Sequence, residues 1–151
     1  MTERLVATGA HVIAVDALPT MIVAARGRAP EADFLEGDAL TVDLPGSFDA
    51  VVLSFVLHNL DADQRRTLLR RSRSLLRPDG RVALLEWALP RSARRARVWR
   101  SLLARIEPSP DVGEVLDGAL TTDLAATGLR VVQHHALAGG RTQLMLATAD
   151  E

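Results

Sequence analysis

The chain has 151 residues, 48% of them hydrophobic, and a formal charge of −1, which gives enough apolar material for one domain and no global attraction for nucleic acid or an anionic membrane. It has no cysteine, so disulfides, thiolate catalysis and cysteine-ligated metal sites are excluded, and a cytoplasmic location is expected. The start, "MTERLVATGA", lacks a basic region followed by an apolar run, and no stretch approaches the roughly 20 apolar residues of a membrane span. All 18 basic residues are arginine, which suggests a GC-rich bacterial genome.

In chain order, "TERLVAT" reads as two turns of helix, with Thr2 placed as N-cap and Gly9 as the stop. "HVIAVD" (11–16) is β-branched and mostly apolar, as a strand buried on both faces of a parallel sheet should be. Pro19 suits the first position of a helix running to about Gly27. A short strand is expected around Phe34, ending near Asp38, followed by a loop at Pro45 and Gly46. The apolar run Ala50 to Leu57 predicts a central strand.

Asp61 and Asp63 offer caps for a helix to about Leu76, with Leu68, Leu69, Leu75 and Leu76 opposite an arginine face and "RPDG" ending it. A strand is then expected over 81–89 and an amphipathic helix over 91–106, with Ala96, Trp99, Leu102, Leu103 and Ile106 on its core side. "EPSPDVG" reads as a loop, and Thr121 or Thr122 as the cap of a last helix closed by Gly128. "RVVQHHAL" and "TQLMLATA", separated by "AGG", read as an antiparallel hairpin. The sum is a single α/β domain over 1–151 with a mostly parallel sheet.

Asp16 ends its strand at the edge of an open α/β sheet where ligands bind, and a carboxylate there can accept from both hydroxyls of a ribose. An aspartate at a strand end is equally an ordinary turn residue. Asp38 ends the next strand, so the two acids could line one nucleoside site.

"VIAVDALPTM", "FLEGDALTVDLPGSFDAVVLSFVLHNL" and "LLRPDGRVALLEW" follow each other with the order and spacing of class I S-adenosylmethionine-dependent methyltransferases. The chain resembles the small-molecule branch that includes quinone-biosynthesis enzymes. The resemblance implies a Rossmann-like sheet with a reversed last strand. It implies that Asp16 binds the ribose hydroxyls, that Ala17, Leu18 and Met21 flank the adenine, that Asp38 accepts from the adenine amino group and that Ala39 meets the ring through its backbone. Ser54 and Phe55 would border the methionine portion of the cofactor.

His58 falls just beyond, where the family often places groups facing the substrate. It is a candidate general base, since its ordinary pKa lies near neutrality. The alternative is that His58 and Asn59 merely satisfy backbone groups at the turn. Residues 91–120 would cover a small-molecule methyl acceptor.

The family's first strand and glycine-rich loop are expected ahead of "TERLVATGAHV". The sheet is therefore expected to lack its usual first strand and to be incomplete at the N-terminus. A homodimer through the open sheet edge is one consequence. A second functional hypothesis is a catalytically inactive remnant or interaction module, and a third is a nicotinamide-nucleotide fold.

The arginines at 91, 94, 95, 97, 100 and 105 invite a polyanion hypothesis, against which the acidic segment Glu107 to Asp117 is expected to neutralise them. Neighbours on one strand, His134 and His135 point to opposite faces, and no metal site is expected.

Overall fold

The computed structural model describes residues 1–150, which divide into two compact units, Met1–Leu44 and the chain from Pro45 onward. The first unit holds helix α1 (Thr2–Val6), strand β1 (Ile13–Asp16), helix α2 (Pro19–Arg26) and strand β2 (Asp33–Glu36). β1 and β2 run parallel in the register Ile13 to Asp33 through Asp16 to Glu36. Pro19 stands in the first turn of α2, as expected from its fixed φ, and Gly27 is its C-cap. Ile22, Ala29, Ala32 and Phe34 form the core of this unit, with Val6, Val12, Ala14 and Ala25 packed on it.

α1 departs from expectation at its start. Met1 is the N-cap, and Thr2 already lies inside the helix. Gly9 follows the helix at φ 84°, a conformation glycine adopts without a Cβ penalty.

The second unit contains β3 (Phe48–Ser54), a 3₁₀ turn (Leu57–Asn59), α3 (Ala62–Ser74), β4 (Leu76–Trp87), α4 (Ala93–Ile106), α5 (Val112–Leu116), α6 (Ala119–Ala126), β5 (Leu129–Leu137) and β6 (Thr142–Ala149). Its four strands lie in the order β3-β4-β6-β5. β3 and β4 are parallel, whereas β6 is antiparallel to both β4 and β5. The expected hairpin is therefore present, and the pairing is mixed. No helix among the described residues is long and apolar enough to cross a membrane.

β3 is not central. Among the described residues it pairs only with β4, and of its own residues only Leu53 is buried. The buried centre lies instead along β4 and β6, where Val82, Leu84, Met145 and Ala147 join Leu57, Leu68, Leu69, Leu120, Leu124 and Leu129. Each fully buried leucine contributes about 1.5–3 kcal/mol by leaving water.

"RPDG" does not separate helix from strand as a turn, because β4 already begins at Leu76. The ladder passes from Phe48–Leu76 to Ala50–Arg81, so the intervening residues of β4 bulge out of register. Pro78, which has no N–H to donate, lies within that bulge. Gly80 is required there by proximity: a Cβ on it would lie 2.9 Å from the Phe48 carbonyl oxygen.

α3 is capped as its sequence suggests. Asp61 accepts from the Gln64 N–H at 2.9 Å, and the Gln64 side chain returns to the Asp61 N–H. α5 occupies part of what the sequence presented as loop and beyond it. α6 takes Gly118 as its N-cap at φ 96°, so Thr121 and Thr122 are interior helical residues and cap nothing. On α4, Leu103 alone is buried, and Leu102 and Ile106 remain exposed.

Candidate functional site

In the first unit the parallel pairing of β1 with β2 puts Asp16 opposite Glu36, so Asp16 and the nearby Asp38 share the C-terminal edge of the pair. The Gly37 N–H donates to the Asp16 carbonyl at 3.0 Å and fixes that edge. Each acid makes the same local bond. Asp16 Oδ1 accepts from the Leu18 N–H at 2.8 Å, and Asp38 Oδ1 accepts from the Leu40 N–H at 2.9 Å. These bonds orient both carboxylates and leave the second oxygen of each as an acceptor. Ala17, Leu18 and Met21 are exposed beside Asp16, and Ala39 follows Asp38 half-buried. Two oriented acceptors beside exposed apolar side chains fit a ligand bearing paired hydroxyls and a flat, weakly polar ring.

In the second unit the C-terminal end of β3 carries Ser54, which is exposed and paired in register with Leu85. Phe55 follows at φ 53°, a left-handed conformation that costs a bulky residue of order 1–3 kcal/mol. Its N–H donates to the Leu85 carbonyl at 2.9 Å, and its ring lies 4.6 Å from that of Trp87. This turn delivers His58 into the interior, where it is 2% exposed.

The partner of His58 is Glu86, a fully buried acid on β4. His58 Nδ1 lies 2.9 Å from Glu86 Oε2. A carboxylate only accepts, so the proton sits on Nδ1 and leaves Nε2 as the basic atom. Nε2 takes a hydrogen bond from the Asn59 amide at 3.1 Å and lies 3.6 Å from Glu107 Oε1. Burial works against the charged imidazolium, but the hydrogen bond to Glu86 and the charges of Glu86 and Glu107 outweigh it and raise the His58 pKa above its ordinary value.

The Leu57 N–H of this turn is satisfied by Glu86, which accepts from it at 2.8 Å and also from the adjacent Trp87 N–H on β4 at 3.2 Å. The His58 side chain is thus bound to side chains, not spent on capping the turn. The sequence reading missed Glu86, although an acid inside the apolar run "VALLEWAL" was its signal. Trp87 adds a buried indole N–H that has no hydrogen-bond partner among the described residues. Its ring also contacts those of His58, at 6.3 Å, and Trp99, at 5.8 Å.

The segment after α4 returns over this pair. Ser109 Oγ donates to the His58 carbonyl at 2.7 Å, and Glu107 faces Nε2. The acids of this segment do not neutralise the arginines of α4 as expected. Glu114 pairs with Arg65, Glu107 approaches His58, and only Asp117 takes an α4 arginine, Arg100. Arg65 departs from the arginine face: it lies on the buried side of α3 with Leu68 and Leu69, is 1% exposed, and is held by Asp123 Oδ2 at 2.8 Å, Glu114 and the Leu60 carbonyl at 2.9 Å. His134 bonds to Gln143 at 3.0 Å, and His135 approaches Gln133 at 3.4 Å.

Strand ends bearing acids and a reversed last strand define a Rossmann-like α/β fold. Residues 1–80 match the family described as a methyltransferase domain. An uncharacterized methyltransferase from Synechocystis sp. is 30% identical over 99% of this chain and 71% of its own length. A ubiquinone/menaquinone biosynthesis C-methyltransferase from Caulobacter vibrioides is 33% identical over 74% of this chain. That match covers 44% of the Caulobacter enzyme, so the chain aligns with under half of it. Among solved structures, a TehB-like SAM-dependent methyltransferase from Corynebacterium glutamicum superposes with a TM-score of 0.67 at 20% identity, over 99% of this chain and 73% of that one. The chain belongs to the class I S-adenosylmethionine-dependent methyltransferase family.

Proposed function

We propose that this chain binds S-adenosylmethionine and directs its methyl group to a small-molecule acceptor. The observation that carries this reading is the pair Asp16 and Asp38, each oriented by a backbone N–H at one edge of the β1–β2 pair with its second oxygen available. Asp16 accepts from the ribose hydroxyls, Asp38 accepts from the adenine amino group, and Ala17, Leu18, Met21 and Ala39 contact the base. When bound, the cofactor supplies a sulfonium-activated methyl group for in-line attack by the acceptor.

The protein's own work is then positioning and proton transfer. His58, with Nδ1 held by Glu86, takes the acceptor's proton at Nε2. Asn59 and Glu107, which now face Nε2, give way to the acceptor, and the Ser109 bond to the His58 carbonyl tethers the covering segment 91–120. The buried Trp87 N–H donates to an oxygen of the acceptor. An acceptor of small-molecule size is supported by the Caulobacter relative, whose name places it in quinone biosynthesis.

Calorimetric titration with S-adenosylmethionine tests the reading. Micromolar binding by the wild-type chain, lost in Asp16→Ala, is the expected result. No heat from a demonstrably folded chain overturns it and favours a remnant or interaction module. For the latter, the unpaired side of β3 is the surface that would join a second copy, and sedimentation at rising concentration would detect the dimer.

A further inference from the structure

We infer that a groove between α4 and the β5–β6 turn is a binding site for a small organic anion with an apolar body, separate from the His58–Glu86 pair. The groove has a volume of about 530 Å³, within the range of small-molecule sites. Neither His58 nor Glu86 lines it.

Its floor is apolar. Val98 and Leu102 stand one helical turn apart on α4 and are 64% and 46% exposed. Scattered surface leucines and valines are ordinary, but these two line the same concavity, together with Trp99 and Pro90. The opposite wall is the turn containing Ala138 and Gly139, at φ 49° and 70°. Gly140 closes so tightly on Pro90 that a Cβ there would lie 3.0 Å from the proline Cα. The wall is therefore formed before any ligand arrives.

Its charge is of one sign. Arg94, Arg95 and Arg141 line the groove, and no acidic residue does. α4 carries five arginines and no acid between Ala93 and Ile106. Among the described residues Arg94 and Arg95 are exposed and take part in no ion pair or hydrogen bond. Arg141 is anchored at the wall: its Nε donates to the Ala138 carbonyl at 2.9 Å, and its guanidinium lies 5.6 Å from the Trp99 ring centroid. Its terminal nitrogens remain available as donors.

These features select one ligand chemistry. Guanidinium groups favour a carboxylate, sulfonate or phosphate. An inorganic anion gains nothing from the Val98–Leu102 floor, and a neutral hydrocarbon gains nothing from the arginines. An organic anion with an aromatic or aliphatic body uses both.

Fluorescence titration of the full chain with 1-pyrenebutyrate and its uncharged counterpart 1-pyrenebutanol tests the assignment. The acid is expected to bind saturably and about tenfold more tightly than the alcohol, the discrimination of one charge-assisted hydrogen bond. Arg94→Gln with Arg95→Gln should reduce that preference, Arg141 remaining, and leave alcohol binding unchanged. Val98→Ser with Leu102→Ser should weaken both probes. All four positions are exposed, and circular dichroism of each variant serves as the control for folding. The assignment is overturned by absent saturation with the acid, by equal affinity for the two probes, by indifference to both double variants, or by full competition from equimolar inorganic phosphate. Asp16→Ala should retain pyrenebutyrate binding, which separates this site from the proposed cofactor site.

Discussion

His58 and Glu86 form a buried histidine–carboxylate pair, Nδ1 to Oε2 at 2.9 Å, although 28 residues separate them in the chain. The parallel pairing of β3 with β4 brings them together: Ser54 is in register with Leu85, so the turn after Ser54 crosses the position just after Leu85. Glu86 fixes the imidazole tautomer and favours its charged form.

Replacing Glu86 with glutamine removes the charge that raises the His58 pKa while keeping an acceptor. The His58 titration, followed by ¹⁵N-detected ring resonances, should lie above the ordinary histidine value in the wild type and move to lower pH in the variant. An unchanged midpoint would contradict the assigned cause of the shift.

The same pair makes stability depend on pH. His58 titrates higher in the folded than in the unfolded chain, so its charged form stabilises the fold fully below about pH 6.5, the unfolded value. That contribution disappears as pH rises through the folded pKa. Urea denaturation should show the difference between wild type and His58→Gln narrowing over that interval. A difference that widens with pH would reverse the sign.

Asp16→Asn keeps the oxygen that accepts from Leu18 but loses the negative charge. Hydrogen bonds to charged groups contribute about 1.5–3 kcal/mol. S-adenosylmethionine should therefore bind roughly 10- to 150-fold more weakly, as read by calorimetry. Wild-type affinity in this variant would remove Asp16 from the proposed site.

Asp123 holds both Arg65 and Arg66, at 2.8 and 2.9 Å. Asp123→Ala leaves the buried Arg65 with Glu114, which is more than half exposed, as its remaining acidic partner. Breaking a buried ion pair this way costs about 3–5 kcal/mol, measurable as a lower urea midpoint. Asp63→Ala, at an exposed position of α3, the helix that carries Arg65, should change the midpoint little.

Gly80→Ala places a Cβ against the Phe48 and Arg77 carbonyl oxygens. Backbone atoms cannot yield as flexible side chains do, so the β3–β4 bulge must shift. A loss of about 1–3 kcal/mol is expected, whereas Gly46→Ala, which meets nothing within 4 Å, should be tolerated far better.

Hydropathy period and punctuation located most of the elements. β1, α2, α3 and the β5–β6 hairpin lie close to where the sequence places them, because each is specified by local features: β-branched runs, Pro19, the Asp61 cap and the "AGG" turn. Errors fell where a distant neighbour overrides local preference. "RPDG" has the composition of a turn, yet its residues belong to β4 because Phe48 pairs with Leu76. The run Ala50 to Leu57 has the composition of a central strand, and its edge position is a matter of sheet order.

By itself the sequence determined an α/β chain of the methyltransferase family and two acids at successive strand ends, since both follow from local pattern and ordered motifs. Only the tertiary structure decided that Glu86 is the partner of His58, that Arg65 is a buried cation and that, among the described residues, the acids after α4 leave Arg94 and Arg95 unpaired. A carboxylate looks the same in the sequence whether it faces water or a histidine. Its role is set by which side chains strand register and helix packing bring within hydrogen-bonding distance.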